Sequence, residues 1–225
     1  MADAQFVTQR ETAVVSTNKV LRNTYMLLSM TLLFTAVTAT VAMAVGFSHM
    51  IGLICMLAAF GMLFVTSKNR NSSAGIACVF GFTGLMGLAL GPTLNFYLSA
   101  GAGGIVVQAA ALTSMIFLSL SGYALVTKKD FSFMAGFLMT GLWVIIGAMV
   151  FGLVAGLMGY QFSGFHLAIS SLVVVVMSGL ILLDTSRIVN GGETNYIMAT
   201  VGLYVTIYNL FTSLLHLLGA FAGED

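Results

Sequence analysis

Charge is what this sequence has least of. Asp, Glu, Lys and Arg make up 7% of its 225 residues while 59% are hydrophobic, and a water-facing surface needs roughly a quarter of a chain's residues charged. A soluble globular domain is thereby excluded, and an integral membrane protein is the class that remains. The basic and acidic residues nearly cancel, to a formal net charge of +1, so there is no positive field to attract nucleic acid. Nor is there an acidic tail beyond Glu224 and Asp225. Cysteine is as sparse. Cys55 and Cys78 lie in or beside apolar stretches, where a thiol behaves as a small hydrophobe, and both read as reduced packing residues. No internal repeat is visible, and no cofactor is expected.

A cleavable secretory signal does not fit either. The first 23 residues are polar and the apolar run that follows, 24–45, is longer than a secretory hydrophobic region and suits a spanning helix. Ala42-Met43-Ala44 mimics a cleavage site, but the segment reads as uncleaved.

What the sequence does have is hydrocarbon in long blocks. A spanning helix needs about 20 mostly apolar residues to cross about 30 Å of lipid tails, and seven stretches qualify: about 24–45, 49–66, 74–98, 104–126, 131–157, 164–187 and 196–219. The connections are short, which predicts an all-α integral membrane protein, one seven-helix bundle over 24–219. A tail of 1–23 precedes it and a short tail of 220–225 follows. Arg10, Lys19, Arg22, Lys68, Arg70, Lys128, Lys129 and Arg187 all fall on one side of such a topology, and the opposite loops carry no charge. The positive-inside rule then places the N-terminus in the cytoplasm and the C-terminus outside.

Inside the blocks, small and polar residues show where helices meet. Lipid supplies no hydrophobic force between helices, so small residues that let backbones approach hold them together. Gly81, Gly84, Gly87 and Gly91 in the third span, and Gly152 and Gly156 in the fifth, read as packing seams. Pro92, the sole proline, predicts a kink in the third span, with Asn95 beside it. In the last span Asn195, Ala199, Gly202, Thr206, Asn209, Ser213 and His216 share an arc of about 100°. Tyr204, Tyr208, Phe211 and Leu215 lie opposite. Polar groups facing lipid would go unpaired, so the last helix is expected to be central, its stripe bonding to neighbouring helices or lining a polar pathway.

Asp184 stands near the end of the sixth span, three residues before Arg187, the spacing of a helical ion pair. Two readings are open: a pair at the membrane boundary followed by a Gly191-Gly192 turn, or an inward carboxylate marking a pathway. His49, His166 and His216 carry no metal-ligand spacing and do not predict a zinc site. Ser178-Gly179 ends a run like a protease nucleophile motif, but Val176 stands where its first glycine should be. His216 also belongs towards the opposite side of the membrane, out of reach as a base. No enzyme is expected.

Two stretches carry a family resemblance. GLALGPTLNFYLS (87–99) resembles the signature of the Bax inhibitor-1 family, and LLDTSRIVNGGETNYIMATVGLYVTIYNLF (182–211) is similar to its last two helices. The N-terminal TNKVLRNTYMLLSMTLLFTAVTAT and GGETNYI are similar to a bacterial inner-membrane branch. The resemblance covers essentially the whole chain and implies a seven-helix fold with the last helix surrounded by the others. For that branch it implies binding and restraint of FtsH, a membrane-anchored ATP-dependent protease, together with its HflK and HflC partners. Other bacterial relatives imply a pH-sensitive calcium or proton leak, latched by two aspartates near a basic residue. Asp184 matches the first aspartate. Thr206 stands at the second, and Lys68 or Arg70 is the basic candidate. Two carboxylates sharing a proton titrate as a pair, which a threonine cannot do, so regulation of the protease is the first expectation and the leak the alternative.

Overall fold

The computed structural model describes the backbone of residues 2–160 and 164–223, and side chains from Thr17 onward. The side chain of Arg10, residues 161–163 of one uncharged loop, and Glu224 and Asp225 lie outside the described residues. Among those described, every regular element is helical: α1 (Ala2–Val45), α2 (His49–Lys68), α3 (Ser73–Ser99), α4 (Gly103–Thr127), α5 (Ala135–Leu157), α6 (Phe165–Val189) and α7 (Tyr196–Ala222). A 3-10 turn, Ser132–Met134, leads into α5. Seven helices, α1 counted from Thr17, are long and apolar enough to cross a membrane, and the chain is a multi-pass membrane protein.

The spans begin and end within a few residues of their expected positions, with one difference at the N-terminus. The segment 1–23, which had no evident helical signal, continues α1 back to Ala2. It contains no glycine or proline, so nothing in it interrupts a helix once the apolar span has nucleated one. Where α1, α3 and α5 stop, the chain closes in the same way. Phe47, Ala102 and Tyr160 donate their N–H back to Ala42, Tyr97 and Ala155, and the preceding glycines, Gly46, Gly101 and Gly159, donate to Met43, Leu98 and Gly156. Those glycines have φ of 74°, 76° and 84°, the left-handed values such a cap requires.

The chain divides into two compact units, one of Met1–Gly103 with Ile188–Tyr204, the other of Gly104–Arg187 with Val205–Asp225. In the first, α1 and α2 both pack on α3, and the glycines explain how. A Cβ on Gly84 would strike the Phe34 ring, one on Gly87 the Thr38 hydroxyl and the Thr35 carbonyl, and one on Gly91 the Ala42 methyl. Gly81 instead meets Met62 of α2, and Gly52 of α2 lies beside Ala89 and the Pro92 ring. α3 runs through Pro92 without a break, Pro92 itself is buried, and Asn95 is exposed. In the second unit Gly141 packs on Val176, Gly179 on Leu138, and Gly152 on the Phe165 ring, all between α5 and α6.

Burial separates the helices. About half of the most apolar stretch is buried in α3 (56%) and α7 (50%), against 11% in α4 and in α5. The last helix therefore shares with α3 the position best shielded from lipid.

Candidate functional site

The polar residues of α7 take on their roles in chain order. Asn195 is its N-cap: the side-chain oxygen accepts from the N–H groups of Ile197 and Met198, each at 3.1 Å, satisfying donors that a helix start leaves unpaired. Its amide nitrogen donates to the Arg70 carbonyl at 2.9 Å and the Asn71 side chain at 2.8 Å, tying the turn after α2 to the start of α7. One turn on, Thr200 is fully buried and donates to Tyr196 O at 2.7 Å, with the Thr24 carbonyl of α1 at 3.3 Å.

Tyr204 is the residue the sequence undersold. It lies on the side of α7 opposite the polar stripe, and it is completely buried. Its hydroxyl is 2.8 Å from that of Thr35 on α1, and both reach the Thr83 carbonyl of α3, Thr35 at 3.0 Å and Tyr204 at 3.4 Å. The Phe82 ring meets the phenol edge to face at 5.4 Å. One hydrogen-bonded knot thus joins α1, α3 and α7 within the first unit. A phenol is sheltered inside a membrane protein when its hydroxyl has a partner; sequence spacing alone offered no sign of that partner, 169 residues away.

Beyond Tyr204 the stripe continues in the second unit. Thr206 and Ser213 are buried at 4% and 7% exposure, Asn209 is half-buried, and His216 is exposed; Gly202, before them, is half-buried. Asn209 donates to Val205 O and Thr212 to Tyr208 O on their own helix. Asn209, Thr212, Ser213 and His216 all border a cavity of about 600 Å³ among α5, α6 and α7, and His166 borders it too. His49 begins α2. The hydroxyl of Ser178 donates to Val174 O at 2.7 Å, within its own helix.

Asp184 is half-buried, and α6 continues past it to Val189, so it stands more than a turn inside the helix. Arg187 is exposed, and the chain then turns at Gly191 with φ 76°. The two residues after Asp184 anchor this part of α6. Buried Thr185 donates to Ser121 of α4 at 3.2 Å. Ser186 donates to the Lys129 carbonyl at 2.8 Å and accepts from Phe131 N at 3.1 Å, fixing the α4–α5 loop, where Lys128 has the left-handed φ of 50°. Lys68 and Arg70, at and just after the end of α2, are both exposed. In the α4–α5 loop the Asp130 carboxyl is held below the usual carboxylate range by hydrogen bonds from the Ser132 side chain and backbone.

Comparison with known proteins bears on what these helices serve. The family model described as "Inhibitor of apoptosis-promoting Bax1" matches residues 17–223. The chain belongs to the Bax inhibitor-1 family. Among its relatives, a membrane protein of Vibrio cholerae is 53% identical over 213 residues, covering 94% of this chain and 93% of that one. "Modulator of FtsH protease YccA" of Escherichia coli K12 is 46% identical over 214 residues, 95% of each chain. "Inner membrane protein YccA" of Escherichia coli O6:H1 is likewise 46% identical over 214 residues, 95% of each chain. These Bax inhibitor-1 relatives are named as membrane proteins and a modulator, not as enzymes, and a multi-pass protein of the inner membrane agrees with both the names and the seven spans.

Proposed function

We infer that this chain is an inner-membrane regulatory protein that binds an FtsH-type protease and restrains its action on membrane substrates, in company with HflK and HflC. The observation that carries this reading is the relative named modulator of FtsH protease, which matches at 46% identity across 95% of both chains. A match of that extent takes in nearly the whole chain instead of one motif. The alternative of an ion leak has less support, since Thr206 cannot share a proton with Asp184 and a two-carboxylate latch has no second member at that position.

The N-terminal stretch is the handle in this reading. The distribution of basic residues supports a cytoplasmic position for it, on the side where an ATP-dependent protease engages its targets. Because α1 is helical from Ala2, the residues before the span at Thr17 extend it by about 22 Å at 1.5 Å per residue. The test is affinity purification of the tagged full chain from detergent-solubilised bacterial membranes, beside a variant lacking residues 2–16. FtsH is expected to co-purify with the full chain, whose overproduction slows degradation of an FtsH membrane substrate, and both effects should be lost in the variant. No co-purification with the full chain would end the regulatory reading. Unchanged co-purification and unchanged turnover of the truncated chain would end the role of the tail alone.

A further inference from the structure

The cavity in the second unit is elongated. Its lining runs from Ile145 to Leu157 on α5 and from Phe165 to Met177 on α6, about 18 Å along each axis at 1.5 Å per residue. Most of that wall is hydrocarbon. Of the polar groups on the α7 side, Asn209 and Thr212 already donate to carbonyls of their own helix, and Ser213 is 7% exposed. His166, in the first turn of α6, and His216, towards the end of α7, mark one end of the space.

The wall is also open. Met149, Leu153 and Leu157 line the cavity while staying 60%, 66% and 82% exposed, so the space is continuous with the outer face of a membrane-crossing helix. Gly156 belongs to the lining, and a Cβ there would meet nothing within 4 Å. The small residue expected to let helices touch instead leaves room between them.

We propose that this cavity is a binding site for a phospholipid of the surrounding bilayer, with one acyl chain lying along α5 and α6 towards Met177. The imidazole N–H groups of His166 and His216 donate to its ester or phosphate oxygens. Volume and composition fit: ligand sites are of the order of 300–1,000 Å³, largely apolar, with a few polar groups that set orientation. Water is the competing occupant, but each buried molecule needs two to four polar partners, and the apolar walls offer none along most of their length.

The test uses the full chain in vesicles of phosphatidylethanolamine and phosphatidylglycerol, with a trace of phosphatidylethanolamine carrying a photoreactive group in its tail, the crosslinked residues being located by mass spectrometry. Labelling should concentrate on cavity residues such as Met149, Ser170 and Met177. Gly156→Leu fills the space and should lower that labelling about tenfold, equivalent to about two buried methylenes. Leu153→Trp should do the same from an already exposed position. Gly147→Leu, exposed on the same helix and away from the lining, with equal room for a Cβ, should match the parent. Labelling that ignores both filling variants, or that spreads evenly over exposed α4 residues such as Met115 and Leu118, overturns the site. Retention of phosphatidylethanolamine through detergent purification, read by native mass spectrometry, should fall when His166 and His216 are both changed to Ala. Equal retention overturns the assignment of the headgroup.

Discussion

Tyr204 shows how one side chain can hold three helices without an ion pair. Tyr204→Phe removes the hydroxyl that meets Thr35 and the Thr83 carbonyl while keeping the ring against Phe82. It is expected to cost about 1 kcal/mol, the scale of hydrogen bonds between membrane helices, read as a lower unfolding midpoint in detergent. Tyr204→Ala, which also empties the ring's place, should cost about 3–5 kcal/mol. Asp130 offers a residue-scale test outside the membrane. Its folded pKa is depressed by Ser132, so its contribution to stability is complete above the ordinary carboxylate value of about 3.9 and is lost as pH falls through the lowered folded value. A carboxyl-carbon NMR titration of the protein should place Asp130 below an unperturbed aspartate, and Ser132→Ala should move it back up. Asp184 was legible as an unusual carboxylate in an apolar run. Its setting was not, because Ser121 and the Lys129 carbonyl that hold Thr185 and Ser186 come from distant segments, and a contact between distant segments leaves no periodic trace in either one.

At the level of helices, glycine has two opposite uses here. Gly87 lets α1 and α3 approach until Thr38 and the Thr35 carbonyl occupy the space of a side chain. Gly87→Leu should therefore force the helices apart and cost about 1–3 kcal/mol or more, as overpacking does, seen as lost yield of monodisperse protein and a lowered unfolding midpoint. Gly156→Ala, facing open space, should be neutral or stabilising through the better helix propensity of alanine. Both glycines belong to rows spaced for close packing, and only three-dimensional neighbours tell them apart. The helices themselves were readable, since hydropathy over 18 or more residues reports length directly and needs no knowledge of partners. The start of α1 was not, because a polar segment with no breaker can become helix by continuation without announcing it. Burial of α7 was half legible. Its small, polar face predicted shielding, but Leu203, Leu210 and Leu215 are also fully buried, and leucine in a span looks the same towards lipid as towards protein.

For the molecule as a whole, the distribution of charge makes a prediction that packing does not. With all eight basic residues on one side of seven spans, a C-terminal alkaline phosphatase fusion should be active and a C-terminal fluorescent protein fusion dark, while an N-terminal fluorescent protein is bright. The reverse pattern would invert the orientation and remove the N-terminal stretch from the protease's side of the membrane. The membrane class follows from composition and the number of crossings from the order of the apolar runs, whereas the proposed association with FtsH rests on kinship, because a docking surface made of ordinary side chains has no signature of its own. The unbroken course of α1 carries a mechanical corollary. Tension applied near Ala2 by a translocating motor would not be absorbed by slack linker; it would travel down one rod to the Thr35 knot and the glycine seam beneath it. Extraction of this protein should then begin by peeling away its first helix, and a short glycine-serine insertion before Thr17 should delay that event under single-molecule pulling.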